Sequence, residues 1–441
     1  MSFKTLKSVA LWLALFAVSA AAFTPQFADA NKSVRLRWKN PVIRIALSTS
    51  LTKQNFNIKA ESDIDGAIKR SLNTWEKVAN VEFQTVWTDK QSVSPAGNAG
   101  DGVSLITIGQ TAENLALFGK DWNDVSAQTR TFFNRKGFIT EADIVLNPFQ
   151  QFSTDGFTGT FDLEATLTHE IGHLLGLEHS FVMGATMYIH QGKNGVYDLP
   201  SFSPRTLAED DITGVRALYG AKETDENCCG AINGRLSLPN GKAAKEFQIW
   251  AEESESGRVV SGVLSNLAGE FNFDGLAQGE YRIYAQRTDS KATNSFSAEE
   301  IGKVEIENGK TVEMTKKLQP KPVTFDLQFT GFNGQISELA VPVNGGKSYI
   351  IYIGGKNLEG DRLEMNFNSS SISVVPNSRR IEHDYGADIS VISFEVRIAK
   401  KTPLGEYGIF VGTRGDRTTC LAGSLTVEEF ENNWNHSFLD K

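Results

Sequence analysis

His169-Glu170-Ile171-Gly172-His173-Leu174-Leu175-Gly176-Leu177-Glu178-His179 gathers three of the chain's six histidines into one short run. His169 and His173 are four residues apart, so on a helix both imidazoles stand on one face, about 40° apart in azimuth and one turn apart in height. Leu163, Leu167, Ile171, Leu174 and Leu175 supply the apolar set of such a helix, and Gly176, free to take positive φ, turns the chain so that His179 reaches the same point. Three imidazoles leave a fourth tetrahedral position open, the pattern of a catalytic rather than a structural zinc ion. Glu170 stands beside the first ligand, where a carboxylate can take a proton from water attacking a carbonyl and return it to the leaving group.

Outward from this run, residues 41–47 alternate like a strand. Ser62 is the expected cap of a helix in which Ile64, Ala67, Ile68, Leu72, Trp75 and Val78 recur at helical spacing, with Asp65 completing a weak capping box. Residues 81–86, 103–108 and 142–147 read as further strands, the last stopped by Pro148. After Tyr219-Gly220 the texture becomes short strands and Gly/Asn turns. Strands at 234–238, 247–251, 269–273 and 279–285 suit a small β-sandwich, and a second all-β unit comes after the stiff Pro320-Lys321-Pro322 junction with strands at 348–353, 372–375, 389–398 and 407–411. The expected division is a signal peptide over 1–30, a metallo-domain over 31–221, and β units over 222–319 and 320–441.

The stretch HEIGHLLGLEHS resembles the zinc signature of the metzincins, and Ser180 directly after the third His is the choice typical of the matrixin branch. Ala185-Thr186-Met187-Tyr188 is similar to that family's Met-turn, and residues 207–220 (LAEDDITGVRALYG) resemble its closing helix. The resemblance implies an α+β metzincin domain with a twisted mixed sheet and long helices, ahead of two all-β sandwich domains. It implies a zinc metalloendopeptidase acting on protein or peptide substrates, with one zinc on His169, His173 and His179, Glu170 as general base, and Met187 as an apolar floor under the metal. Met183 is the alternative for that floor. Asp210 and Asp211 match the family's aspartate pair, which ties the closing helix to the active-site segment, and 142–147 resemble its edge strand, which pairs with an extended substrate. Calcium is a further cofactor the resemblance suggests, with no residue assigned; Asp101-Gly102 and Asp155-Gly156 are acidic turns that could offer oxygen. Three features depart from the family. No Cys-switch propeptide is read ahead of the first strand, no second His cluster accompanies His190, and Ile189-His190-Gln191 replaces the usual wall of the specificity pocket.

Lys4 and Lys7, an apolar run over 9–23 and Ala28-Asp29-Ala30 have the form of a secretory signal, so a secreted, extracellular or periplasmic chain is expected, with its mature start near Asn31. No stretch reaches the roughly 20 apolar residues of a membrane span. A net charge of −9 without a Lys/Arg block argues against nucleic acid as partner. Cys228, Cys229 and Cys420 permit one bridge; neighbouring cysteines rarely bridge each other, so one of the first two is expected to pair with Cys420. The β units resemble carboxypeptidase-regulatory-like (Gly234-Arg235-Leu236, and 275–281) and immunoglobulin-like (402–407) domains. They are expected to act as spacers or to hold a surface or matrix ligand. An adhesin with a vestigial metallo-domain is the competing reading, and the intact Glu170 argues against it. A chain ending near Ala221 is expected to fold and cleave on its own.

Overall fold

The computed structural model describes residues 25–29 and 34–429 apart from 53–54, 98, 120–124, 200–204, 288–296, 361–362, 384, 387–388 and 414–416. Most of the expected signal segment, Ala30 and Asn31 therefore lie outside the described residues. The alternating 41–47 run forms β1 (Val42–Ser48), and the helical repeat after it forms α1 (Ile64–Glu76), which buries Ala67, Ile68, Leu72 and Trp75. Its cap is Asp63 rather than Ser62: the Asp63 carboxylate accepts the Gly66 N–H at 3.0 Å, which leaves Ser62 outside the helix. Then come β2 (Glu82–Thr88), β3 (Leu105–Thr107), β4 (Ala127–Phe133) and β5 (Phe138–Leu146).

These strands lie in the order β4-β5-β3-β1-β2, with β4 alone antiparallel to its neighbour. Residues 142–147 are thus not at the edge. They fall in and just after β5, which pairs with β4 on one side and with β3 on the other, so residues 141–146 are all buried, Glu141 and Asp143 included. The edge strand is β4, whose Gln-Thr-Arg-Thr centre gives no clean alternation.

Helix α2 (Leu163–Leu174), capped by Asp162 accepting from Ala165 N–H at 2.9 Å, is buried along its whole length. Two bonds lock α1 against it: Trp75 Nε1 donates to the Thr168 carbonyl (2.9 Å) and Ser71 Oγ to that of Glu164 (3.0 Å). Helix α3 (Glu209–Tyr219) closes this part of the chain.

The rest of the described chain is strand and turn. β6 (Cys228–Ser237), β7 (Gln248–Glu253), β8 (Arg258–Leu264), β9 (Glu270–Ala277), β10 (Gly279–Gln286), β11 (Glu299–Ile306) and β12 (Thr311–Lys317) make a three-stranded sheet β9-β6-β12 and a run β11-β10-β7-β8. That run continues into the final segment. Arg258 and Val259 of β8 pair with Tyr407 and Glu406 of a later strand, so one path reaches β13 (Val341–Val343), β14 (Gly405–Thr413) and β15 (Arg417–Val427) in the order β8-β14-β15-β13. A further sheet, with Asp326–Phe332, Ser348–Lys356 and Ser390–Ile398 at its centre, packs over this one.

The cysteines differ from expectation. Cys228 and Cys229 are joined to each other across a cis peptide bond, and Cys420 is free and buried. Cys420 lies on β15 among Trp250, Tyr284 and Phe410, whereas Cys228 opens β6 with its sulfur near the Gly275 carbonyl; the two strands belong to different sheets.

The hydrophobic core ignores the expected divisions. One apolar cluster runs from Trp75 and Ile171 through Val215 to Ile232, Phe273 and Ile283, and another joins Val182, Ala185 and Ala208 to Trp250, Phe410 and Ala422. Tyr197, in the loop after the histidine run, is buried in the final segment, where its hydroxyl meets Ser337 Oγ (2.6 Å) and the carbonyls of Leu339 (3.0 Å) and Thr330 (3.2 Å). A self-sufficient unit ending near Ala221 does not fit this packing, because removing the β segments beyond it would expose one face of α3 and leave Tyr197 and Val182 in water. A chain ending at Ala221 is expected to melt well below the full chain, or to fail to fold, in a thermal unfolding experiment followed by circular dichroism. Equal melting temperatures would refute that.

Candidate metal centre

The histidines converge as their spacing predicts. One ring nitrogen from each of His169, His173 and His179 lies within 4.8 Å of the others. The first two stand on α2; the third returns because Gly176, at φ 97°, turns the chain with its N–H on the His173 carbonyl (2.9 Å). Backbone carbonyls set the ring tautomers. His169 Nδ1 lies 2.7 Å from the Thr186 oxygen and His173 Nδ1 2.9 Å from that of Leu177. A carbonyl only accepts, so each Nδ1 carries the proton and each Nε2 presents its lone pair. His173 Nε2 and His179 Nε2 are 3.1 Å apart. Two nitrogens bound tetrahedrally at about 2.0–2.1 Å from zinc would be about 3.3 Å apart, so this donor set fits the ion. Burial, then the neighbouring His173, lowers the pKa of His169 to about 3 and depresses that of His179 as well, which favours the neutral, ligating form.

Glu170 is 3% exposed, and its Oε2 accepts the Thr129 hydroxyl at 2.5 Å. Burial raises its pKa, while His173 and the Thr129 bond pull it down. Thr129 stands on β4, which pairs only with β5 among the described residues, so its other edge carries no strand partner there. Met187 is fully buried under α2: a Cβ on Gly172 would overlap the Met187 thioether, so the glycine between His169 and His173 makes room for it. Met183 instead sits beside the final segment, its N–H on the Ala422 carbonyl at 3.0 Å. Both aspartates at the start of α3 are fully buried. Asp211 accepts from the N–H groups of Thr186 (2.8 Å), Met187 (2.9 Å) and Ala208 (2.9 Å); Asp210 accepts from Ser180 Oγ (2.5 Å) and from Gly262 N–H of β8 (2.6 Å).

His190 stays outside the cluster, 3.0 Å from a Glu338 carboxylate oxygen. The two acidic turns give calcium no support: Asp155 pairs with Lys59 at 2.5 Å and Asp101 with Lys90. Sequence reasoning missed Thr129, because its strand carries no alternation, and missed Gly262, which nothing local marks as the partner of a distant carboxylate.

The family model described as Matrixin matches residues 37–220. Residues 37–220 form a matrixin domain. This matrixin domain is 44% identical over 197 residues to Metalloendoproteinase 4-MMP of Arabidopsis thaliana (42% of this chain, 48% of that one) and 29% identical over 170 residues to Metalloendoproteinase 1 of Glycine max (37% and 47%). Interstitial collagenase of Oryctolagus cuniculus is 26% identical over 171 residues, covering 39% of this chain and 31% of that one. The chain thus spans about half the length of the plant relatives or less, and the likeness lies at the level of a zinc metalloprotease family. Among the described residues, no helix is long and apolar enough to cross a membrane.

Burial and mutual repulsion raise Asp210 to about 8, and burial raises Asp211 to about 6, from an ordinary 3.8. Between about pH 4 and 8 the folded state therefore holds more protons at this pair than the unfolded state, and the pair's contribution to stability falls as pH rises. Asp210→Asn removes most of that slope. In urea unfolding from pH 5 to 8, wild type is expected to lose stability relative to Asp210→Asn as pH rises; a pH-independent difference between the two would contradict it.

Proposed function

We propose that the chain is a secreted zinc metalloendopeptidase that hydrolyses peptide bonds in extracellular proteins, with His169, His173 and His179 as zinc ligands and Glu170 as general base. The observation that carries this reading is the convergence of three imidazoles beside a buried, hydroxyl-anchored carboxylate. Zinc held there would supply Lewis acidity to the substrate carbonyl and to the attacking water. Thr129 occupies Glu170 Oε2, which leaves Oε1 to take the proton of that water and deliver it to the departing amine. Met187 provides an apolar floor, and the Asp210–Asp211 pair holds that floor and the His179 loop in register. The unpaired side of β4 supports binding of an extended substrate by strand addition, the register of which would bring its backbone past Glu170. The leader-like start of the chain supports secretion, and the β segments are candidates for surface or matrix contact.

Two measurements test this. Excess 1,10-phenanthroline should abolish peptide cleavage, and added zinc should restore it. Glu170→Gln should keep about one zinc per chain, since the ligands are untouched, and lower kcat by about 10²–10⁴-fold, the usual contribution of a positioned base. Wild-type turnover in Glu170→Gln with zinc bound would sink the assigned base while sparing the metal site.

A further inference from the structure

A narrow cavity of about 40 Å³ opens beside the histidines. Its near wall is Ala165, one helical turn before His169, and Thr186, whose carbonyl orients the His169 ring. Its far wall comes from the final segment, more than 140 residues away in sequence. Strands alternate faces with a period of two, and the alternation is plain here: Val341, Val343, Leu425 and Val427 enter the final segment's own core, while Ala340, Pro342, Thr426 and Glu428 face the cavity. Parallel pairing of β13 with β15 and the Glu428 N–H on the Val343 carbonyl at 2.9 Å fix that orientation.

Among the described residues, Glu428 is the only carboxylate lining the cavity, and no Lys or Arg lines it. Its neighbourhood is acidic: Glu406, buried next to it on β14, feels its repulsion, and the one histidine on the wall, His190, is already paired with Glu338. Burial alone raises the Glu428 pKa, to about 7. Glu428 is half-buried at the cavity wall, and a partly desolvated carboxylate is met most favourably by a cation. The volume holds on the order of three waters, enough for the slim stem of an unbranched side chain but not for an aromatic ring without movement of the walls.

Building on the endopeptidase reading above, we propose that this cavity is the specificity pocket for a Lys or Arg side chain flanking the scissile bond, and that Glu428 at the far wall selects it. The β segment then acts as part of the substrate site, and a charged side chain that pairs with Glu428 leaves nothing unpaired, whereas an apolar one strands the carboxylate.

The test uses the zinc-loaded full chain and a peptide series that varies only the residue on each side of the cleaved bond. Wild type should cleave the Lys or Arg peptide at one of these positions at least about tenfold faster in kcat/KM than its Leu counterpart. Glu428→Gln, which preserves shape, should lower the basic-peptide value by about 10- to 100-fold, the range of a charge-assisted hydrogen bond, and should not slow the Leu peptide, whose side chain no longer strands a carboxylate. A binding readout on the Glu170→Gln background should agree: fluorescence anisotropy with the Arg peptide should weaken by a similar factor on adding Glu428→Gln. Zinc-dependent cleavage with no preference for basic residues, or a preference that survives Glu428→Gln, overturns the pocket alone. No cleavage of any peptide by the zinc-loaded chain overturns the endopeptidase reading and the pocket with it.

Discussion

Two adjacent carboxylates, Asp210 and Asp211, sit at the N-terminus of α3 with no solvent exposure, and the geometry of the metal centre depends on what they accept. A buried pair of carboxyl groups without a cation is tolerated only where donors surround it, and here the donors come from four separate places in the chain. Thr186 and Met187 bring the floor of the centre, Ser180 the residue after the third histidine, Ala208 the entry to the helix, and Gly262 the distant β8. The helix N-terminus adds its own partial positive charge. Thr186 is the key joint: its N–H is held by Asp211 while its carbonyl orients His169, so the carboxylate fixes a ligand's tautomer at one remove.

The same economy appears in α2. Every residue of the helix is buried, although it carries Glu164, Thr166, Thr168, two histidines and Glu170 among its apolar positions. The polar groups are met by specific partners: Glu164 pairs with Arg70 at 2.8 Å, Thr168 bonds back to the Glu164 carbonyl, and Glu170 accepts from Thr129. Gly172 is explained by volume rather than flexibility. The space a side chain would take is filled by Met187 on one side and the Trp75 ring on the other, so the glycine sets how close the floor can come to the ligands.

How much of this was legible in the sequence depends on how local each determinant is. The histidine run, the turn at Gly176 and the aspartate pair are encoded within a few residues of themselves, and spacing alone brings the imidazoles together. α1 was legible because its apolar period is clean, though its cap lay one residue on. β4 was not, because an edge strand facing a polar site has no apolar face to alternate. The partners of Asp210, Tyr197 and Cys420 were unreadable for a different reason: each is set by the docking of segments far apart in sequence, where no local pattern carries information about the surface met.

That distinction bears on how the matrixin likeness should be used. It spans residues 37–220, which hold the three converging histidines, Glu170 and Met187. Yet the loop after the floor is pinned by Tyr197 to carbonyls of Thr330 and Leu339, Met183 hangs on Ala422, and His190 faces Glu338. These contacts shape the side of the centre on which a substrate side chain would rest, and none of them lies wholly within the matched region. The three histidines, Glu170 and Met187 thus lie in the part of the chain that its relatives share, and these contacts do not. Under the proposed reading, the surface that would meet a substrate side chain is completed by the β segments, which lie outside the matched region.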